Sequence, residues 1–169
     1  MTEALGSPLP PHLEQRLETV LRAVCERGWT VATAESCTAG LVSAALSDVE
    51  GLGHALEAGF ITYSDHAKSA LLGVSRELID RQGAVSEDVA RAMAEAALGC
   101  CEADLAVSIT GFAGPAGEGN EEGLVHFAVA RRGGETAHRE AHFGPRGRGG
   151  VRLACLETAV DMLGEAAAA

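Results

Sequence analysis

The sequence predicts an α/β fold, a single domain in which a mixed β-sheet is flanked by helices. Three observations lead there. Short β-branched or apolar runs alternate with longer segments whose apolar residues recur every three or four positions. Glycines and small polar capping residues stand at most of the junctions between them. The last two short runs are separated only by Arg132-Gly133-Gly134, a hairpin signal that adds antiparallel strands to a parallel core.

Taken in order, residues 1–11 are proline-rich and are expected to be a disordered N-terminal segment. Residues 12–27 read as an amphipathic helix. Leu13, Leu17, Val20, Leu21 and Val24 share one stripe, and Gly28 ends it. Residues 29–34 are a buried strand that runs into the polar junction Glu35-Ser36-Cys37-Thr38. A helix over 39–47 follows, closed by Asp48. Residues 54–62 form a second strand, interrupted by Gly59. Ser64 and Asp65 cap a short helix through Leu72, stopped by Gly73. Ser75 and Ser86 cap helices over 76–82 and 87–100. A third strand over 105–110 opens into a glycine-rich loop, 111–120. Strands over 123–131 and 135–143 make the hairpin. A second glycine-rich loop, 144–150, leads to a helix over 151–164, and 165–169 are a tail. No repeat or linker divides residues 12–164, which are read as one domain.

Composition narrows the function. The 169 residues hold 13 Lys+Arg against 24 Asp+Glu, a net charge of −11. Such a field repels nucleic acid, so a phosphate-neutralising DNA or RNA binder is not expected. A local cationic pocket for a small anion remains compatible with it. The five cysteines are odd in number, Cys100 and Cys101 are adjacent, and no C-x-x-C pair occurs. That is neither a disulfide framework nor a zinc motif. The N-terminus lacks a basic start and an apolar signal core, and no run is long enough to span a bilayer. The expectation is a cytoplasmic protein with no membrane partner. Aromatics are only 4%, so Ala, Val and Leu must fill the core.

Twelve of the 13 cations are Arg; Lys68 is the single lysine, and the single tyrosine, Tyr63, lies five residues before it. Arg stays charged, whereas a desolvated Lys can act as a base. In a parallel sheet both residues would gather at the carboxyl edge with the loops after Ser36 and Thr110. Ser36, at a strand-to-helix turn, is a candidate nucleophile, with neighbouring amides as an oxyanion site; simple helix capping is the competing account. Cys37 is a rival nucleophile, although no His stands near it in sequence to activate it. Tyr63 could relay a proton. The loop beginning Thr110-Gly111 and including Gly114 can nest an anion, but it is neither a P-loop nor a G-x-G-x-x-G fingerprint. Arg131, Arg132, Arg139, Arg146, Arg148 and Arg152 cluster within 22 residues. Arg146 and Arg148, at a helix entrance, suit a phosphate clamp. Arg131 and Arg132 are read as a solvated hairpin tip. His138 and His142 would lie about 13 Å apart along a strand, too far to share a metal, and no metal site is expected.

Residues Ala32-Thr33-Ala34-Glu35-Ser36-Cys37-Thr38-Ala39-Gly40 resemble the A-E-S-C-T-G-G signature of the CinA C-terminal domain family. So do Thr62 to Lys68, Gly83 to Glu87 and Thr110 to Pro115, in the same order. The resemblance covers residues 12–164. It implies that family's fold and its amidase activity: hydrolysis of the carboxamide of nicotinamide mononucleotide to nicotinate mononucleotide and ammonia, in NAD recycling, without a cofactor. It implies Ser36 as nucleophile, Lys68 as general base and Tyr63 as a partner in proton transfer. Thr38, Thr110, Gly111, Gly114 and Arg146 would hold the nucleotide. It also implies a homo-oligomer, of which a dimer is one form. The family's name carries an alternative, a non-enzymatic role tied to competence or DNA damage. Four residues depart from the family pattern: Ala39 for Gly, Asp65 for Asn, Ala116 for Gly and Pro145 in place of a G-D-R run.

Overall fold

The computed structural model describes residues 9–169. Helix α1 (Pro11–Glu26) is followed by strand β1 (Val31–Glu35), helix α2 (Leu41–Ser47), a 3-10 turn at Gly53–Ala55 and strand β2 (Leu56–Ile61). Helices α3 (Asp65–Leu72), α4 (Arg76–Gln82) and α5 (Glu87–Cys100) come next. Strands β3 (Leu105–Gly111), β4 (Leu124–Arg131) and β5 (Thr136–His142) precede helix α6 (Gly147–Ala168). The five strands form one sheet in the order β2-β1-β3-β4-β5. Strands β2, β1 and β3 run parallel, and β4 and β5 add the antiparallel part.

The sheet sorts its residues by size, with period two. Val31, Leu105, Val107, Ile109, Val125, Phe127 and Val129 pack with α1, α2 and α6. Ala32, Ala34, Ala106, Ala128 and Ala130 face the other way, onto Ala90, Met93, Ala94 and Ala97 of α5. Small residues on both surfaces let α5 lie close to the strands. With few aromatics available, one side of the core is filled by large aliphatics and the other by close approach.

The serine caps form as expected. Ser64, Ser75 and Ser86 accept from the amides of Ala67, Leu78 and Val89. Gly73 takes the left-handed φ of 69° that ends α3.

Strand β1 starts two residues later than expected, at Val31, and takes in Glu35; larger boundary differences fall at four places. Helix α1 begins at Pro11, because proline at the first helical position needs no amide partner; residues 1–8 of the expected disordered segment lie outside the described residues. Helix α2 begins at Leu41, because Ala39 (φ 51°) and Gly40 (φ 91°) are left-handed and cannot be helical. His54 belongs to the 3-10 turn, so β2 starts at Leu56. Helix α6 starts at Gly147 and runs to Ala168, taking in the expected loop residues Arg148 to Gly150 and most of the expected tail.

Candidate active site

Alternation along β1 decides which side each residue of the polar junction serves. Thr33 and Glu35 follow Val31 onto the α2 side. Ser36 extends the strand by one more residue, its amide donating to Ile109 O at 2.9 Å. Its side chain therefore falls on the opposite side, toward α3. Strand β2 lies beside β1 and delivers Thr62, Tyr63 and then α3 to the same edge. Strand β3, on the other flank, ends in Thr110 and the glycine-rich loop.

The result is a cleft of about 220 Å³. Ser36, Cys37, Tyr63, Asp65, Lys68, Thr110, Gly111, Gly114 and Arg148 are among its lining. Lys68 is 1% exposed, and its Nζ donates to Ser36 Oγ at 3.2 Å and to Thr62 O at 3.2 Å. Burial holds its ammonium below the ordinary lysine range. The Asp65 carboxylate, 4.0 Å from Nζ, opposes that shift, as does negative charge on the Cys37 sulfur. A hydroxyl and a desolvated amine in hydrogen-bond contact have the geometry that a nucleophile and its base require.

Other expected site residues are placed differently. Tyr63 lines the cleft but is 59% exposed, and its hydroxyl makes no hydrogen bond to Ser36 or Lys68. Thr110 is buried and donates its hydroxyl to Ala84 O at 2.7 Å. Gly111 packs where a Cβ would meet Val125 and Leu124. Gly114 leaves room for the Arg148 guanidinium, which would stand 3.1 Å from a Cβ there. Thr38 is fully buried and is not among the cleft residues; its carbonyl accepts from Arg152 Nε and Nη2 at 3.2 and 2.7 Å. Arg146 caps α6, exposed, and it is Arg148 that lines the cleft.

Cys37 is 6% exposed and shares a hydrogen bond with Cys155, whose thiol is pushed up by that bond and by burial. The amine of Lys68 is bonded to Ser36 rather than to Cys37, so the serine has the better-placed base. Arg132 is no idle hairpin tip: it donates to the carbonyls of Leu98, Cys101 and Ala103 and closes the end of α5. His138 pairs with His126, their nitrogens 3.1 Å apart, rather than with His142. Among the described residues, no three His, Cys, Asp or Glu side chains are grouped so as to hold a metal.

With this geometry in place, the sequence profile described as the CinA C-terminal domain matches residues 13–167. The chain belongs to the CinA C-terminal domain family. This CinA C-terminal domain is 46% identical over 137 residues to the nicotinamide-nucleotide amidohydrolase PncC of Escherichia coli K12, covering 79% of this chain and 83% of that protein. It is 52% identical over 118 residues to a putative competence-damage inducible protein of Symbiobacterium thermophilum, covering 69% of this chain but 28% of that protein. The chain spans about a third of the length of the longer curated relatives it matches. Among solved structures, the competence/damage inducible protein CihA of Agrobacterium tumefaciens superposes with a TM-score of 0.91 at 39% identity, covering 96% of this chain and 99% of that one. No helix among the described residues is long and apolar enough to cross a membrane.

Proposed function

We propose that this CinA C-terminal domain hydrolyses the carboxamide of a nicotinamide nucleotide, releasing ammonia and the nicotinate nucleotide. The observation that carries this is the buried Lys68 amine 3.2 Å from Ser36 Oγ in a cleft that also holds Arg148. The name of the E. coli relative, 83% of which this chain covers, supports the substrate class.

The chemistry follows from what an amide needs. The carbonyl is a poor electrophile, so Ser36 must be deprotonated as it attacks; neutral Lys68 takes that proton. The tetrahedral oxyanion needs donors. The amides of Gly40, Val42 and Ser43 are occupied by Glu35, which leaves the amide of Cys37, a residue that lines the cleft beside the nucleophile, for this task. Lys68, now an ammonium, returns its proton to the departing nitrogen, and ammonia leaves. Water then attacks the acyl ester on Ser36, with Lys68 again as base, and nicotinate nucleotide is released. Arg148 suits the phosphate as a bidentate donor, with the loop after Thr110 beside it. Tyr63, at the rim with its ring exposed, suits the flat pyridinium through a cation–π contact.

Ammonia release from nicotinamide mononucleotide by wild type and Lys68→Arg in parallel tests this. Arg keeps the charge and cannot serve as a base. The expected result is turnover in the wild type and a loss of at least about 100-fold in the variant. Equal rates would exclude Lys68 as the base. Silence in both, without thermal stabilisation by the nucleotide, would favour the non-enzymatic role instead.

A further inference from the structure

Glu35 is as deeply buried as any residue here, 0% exposed, yet it carries a carboxylate. That group accepts four hydrogen bonds. Oε2 takes the amides of Gly40 and Val42 at 2.9 and 3.2 Å; Oε1 takes the amide and hydroxyl of Ser43 at 2.8 and 2.7 Å. Thr33 Oγ1 lies 2.6 Å from Ser43 Oγ and completes the chain. Strand β2 makes room for it at Gly59, where a Cβ would stand 2.6 Å from Ser43 Oγ. The four residues spanned by this bridge are Ser36 to Ala39, the nucleophile's own turn.

A helix that only needed capping would be served by Ser, Thr, Asn or Asp at its N-cap. Here the N-cap is Gly40, which offers no side chain. The acceptor comes instead from the preceding strand, as a charge whose burial is costly. It closes the turn like a strap, with Ala39 and Gly40 both left-handed between its ends. The backbone of the same residue reaches the other half of the dyad. Glu35 O accepts from Thr62 N at 2.7 Å, and Thr62 O accepts from Lys68 Nζ.

We propose that Glu35 is the positioning residue of the site, holding the Ser36 turn in line with Lys68. The proposal rests on Ser36 being the nucleophile. Glu35 touches neither substrate nor the reacting atoms. Its effect is on the placement of Ser36 Oγ, where displacement by about 1 Å costs on the order of 100-fold in rate.

The test is Glu35→Gln, with Ser43→Ala as a milder second variant that keeps the amide cap and removes one donor. Two rates are read for each: ammonia release from nicotinamide mononucleotide, and covalent labelling of Ser36 by a fluorophosphonate, followed by mass. Glu35→Gln presents an NH2 to amide donors, so kcat and the labelling rate should fall together by about 100-fold. KM should stay within about threefold, since the substrate contacts are elsewhere. Ser43→Ala should lower both rates by roughly tenfold. A folded Glu35→Gln protein with wild-type kcat and labelling overturns the proposal. If that variant does not fold, unchanged rates in Ser43→Ala overturn it. Labelling keeps the two readings apart: a wild type that releases no ammonia but is labelled at Ser36 sinks the amidase reading and leaves the positioning comparison intact.

Discussion

The proposed mechanism requires a neutral Lys68 to take a proton from Ser36, and burial favours that neutral state. The same burial costs stability. With the folded value below the unfolded one, the unfolded chain binds more protons between the two, so stability rises with pH across that window and is diminished beneath it. For catalysis, kcat/KM should rise with pH as Lys68 loses its proton, giving an acid limb. Asp65, 4.0 Å away, favours the charged amine. Asp65→Asn removes that attraction, so the amine should lose its proton at lower pH and the acid limb should move down the pH scale. The pH profile of ammonia release checks the sign; a limb that stays fixed or moves up would show that another group titrates there. Arg152 is another residue whose role appears only in three dimensions, since it grips the Thr38 carbonyl from 114 positions away.

At the scale of the element, the turn between β1 and α2 stores strain at Ala39, whose φ is 51°. The left-handed region costs an L-residue roughly 1–2 kcal/mol, and glycine avoids this. Glycine loses about 0.4–1 kcal/mol through the freer unfolded chain. Ala39→Gly should therefore raise stability by a net of about 0.5 kcal/mol, seen as a higher urea midpoint at unchanged slope. A lower midpoint would mean that Ala39 makes packing contacts worth more than the strain. Helix α6 shows the opposite balance. Gly147, Gly149 and Gly150 each disfavour helix by about 1 kcal/mol, which hides the true start from local propensity. The buried Val151, Ala154 and Cys155 anchor the helix to the core and override it. At the far end, Ala167 is 3% exposed, so the alanine-rich terminus is held by packing as well as by propensity.

For the whole molecule, the division of the sheet into a large-residue side and a small-residue side sets the distance of α5. Ala94 on α5 is 0% exposed against that alanine surface. Ala94→Leu would push α5 off the sheet and should cost about 1–3 kcal/mol, measured by thermal or urea unfolding. A neutral effect would mean that the α5 layer can shift freely. Because Ser108 and Thr110 bond to Ala90 O and Ala84 O, the same layer also fixes the third wall of the cleft.

Much of this was legible along the chain because it is local. Period-two and period-3.6 patterns, serine caps and a glycine-rich turn are each encoded within a few residues, so the α/β class, the hairpin and the α3 cap follow from them. The scarcity of lysine and tyrosine marked Lys68 and Tyr63, and the strand-to-helix junction marked Ser36. Meeting is another matter. Ser36 and Lys68 are 32 positions apart, and their contact follows from β2 lying parallel beside β1. Glu35 and Ser36 are adjacent in sequence but serve opposite sides of the sheet, so one becomes a buried strap and the other a cleft hydroxyl. Arg146 and Arg148 look alike in sequence, but two residues along a helix is more than half a turn, and Arg148 is the one brought to the cleft over Gly114. Local chemistry names the side chains; strand order and helix phase choose which of them meet.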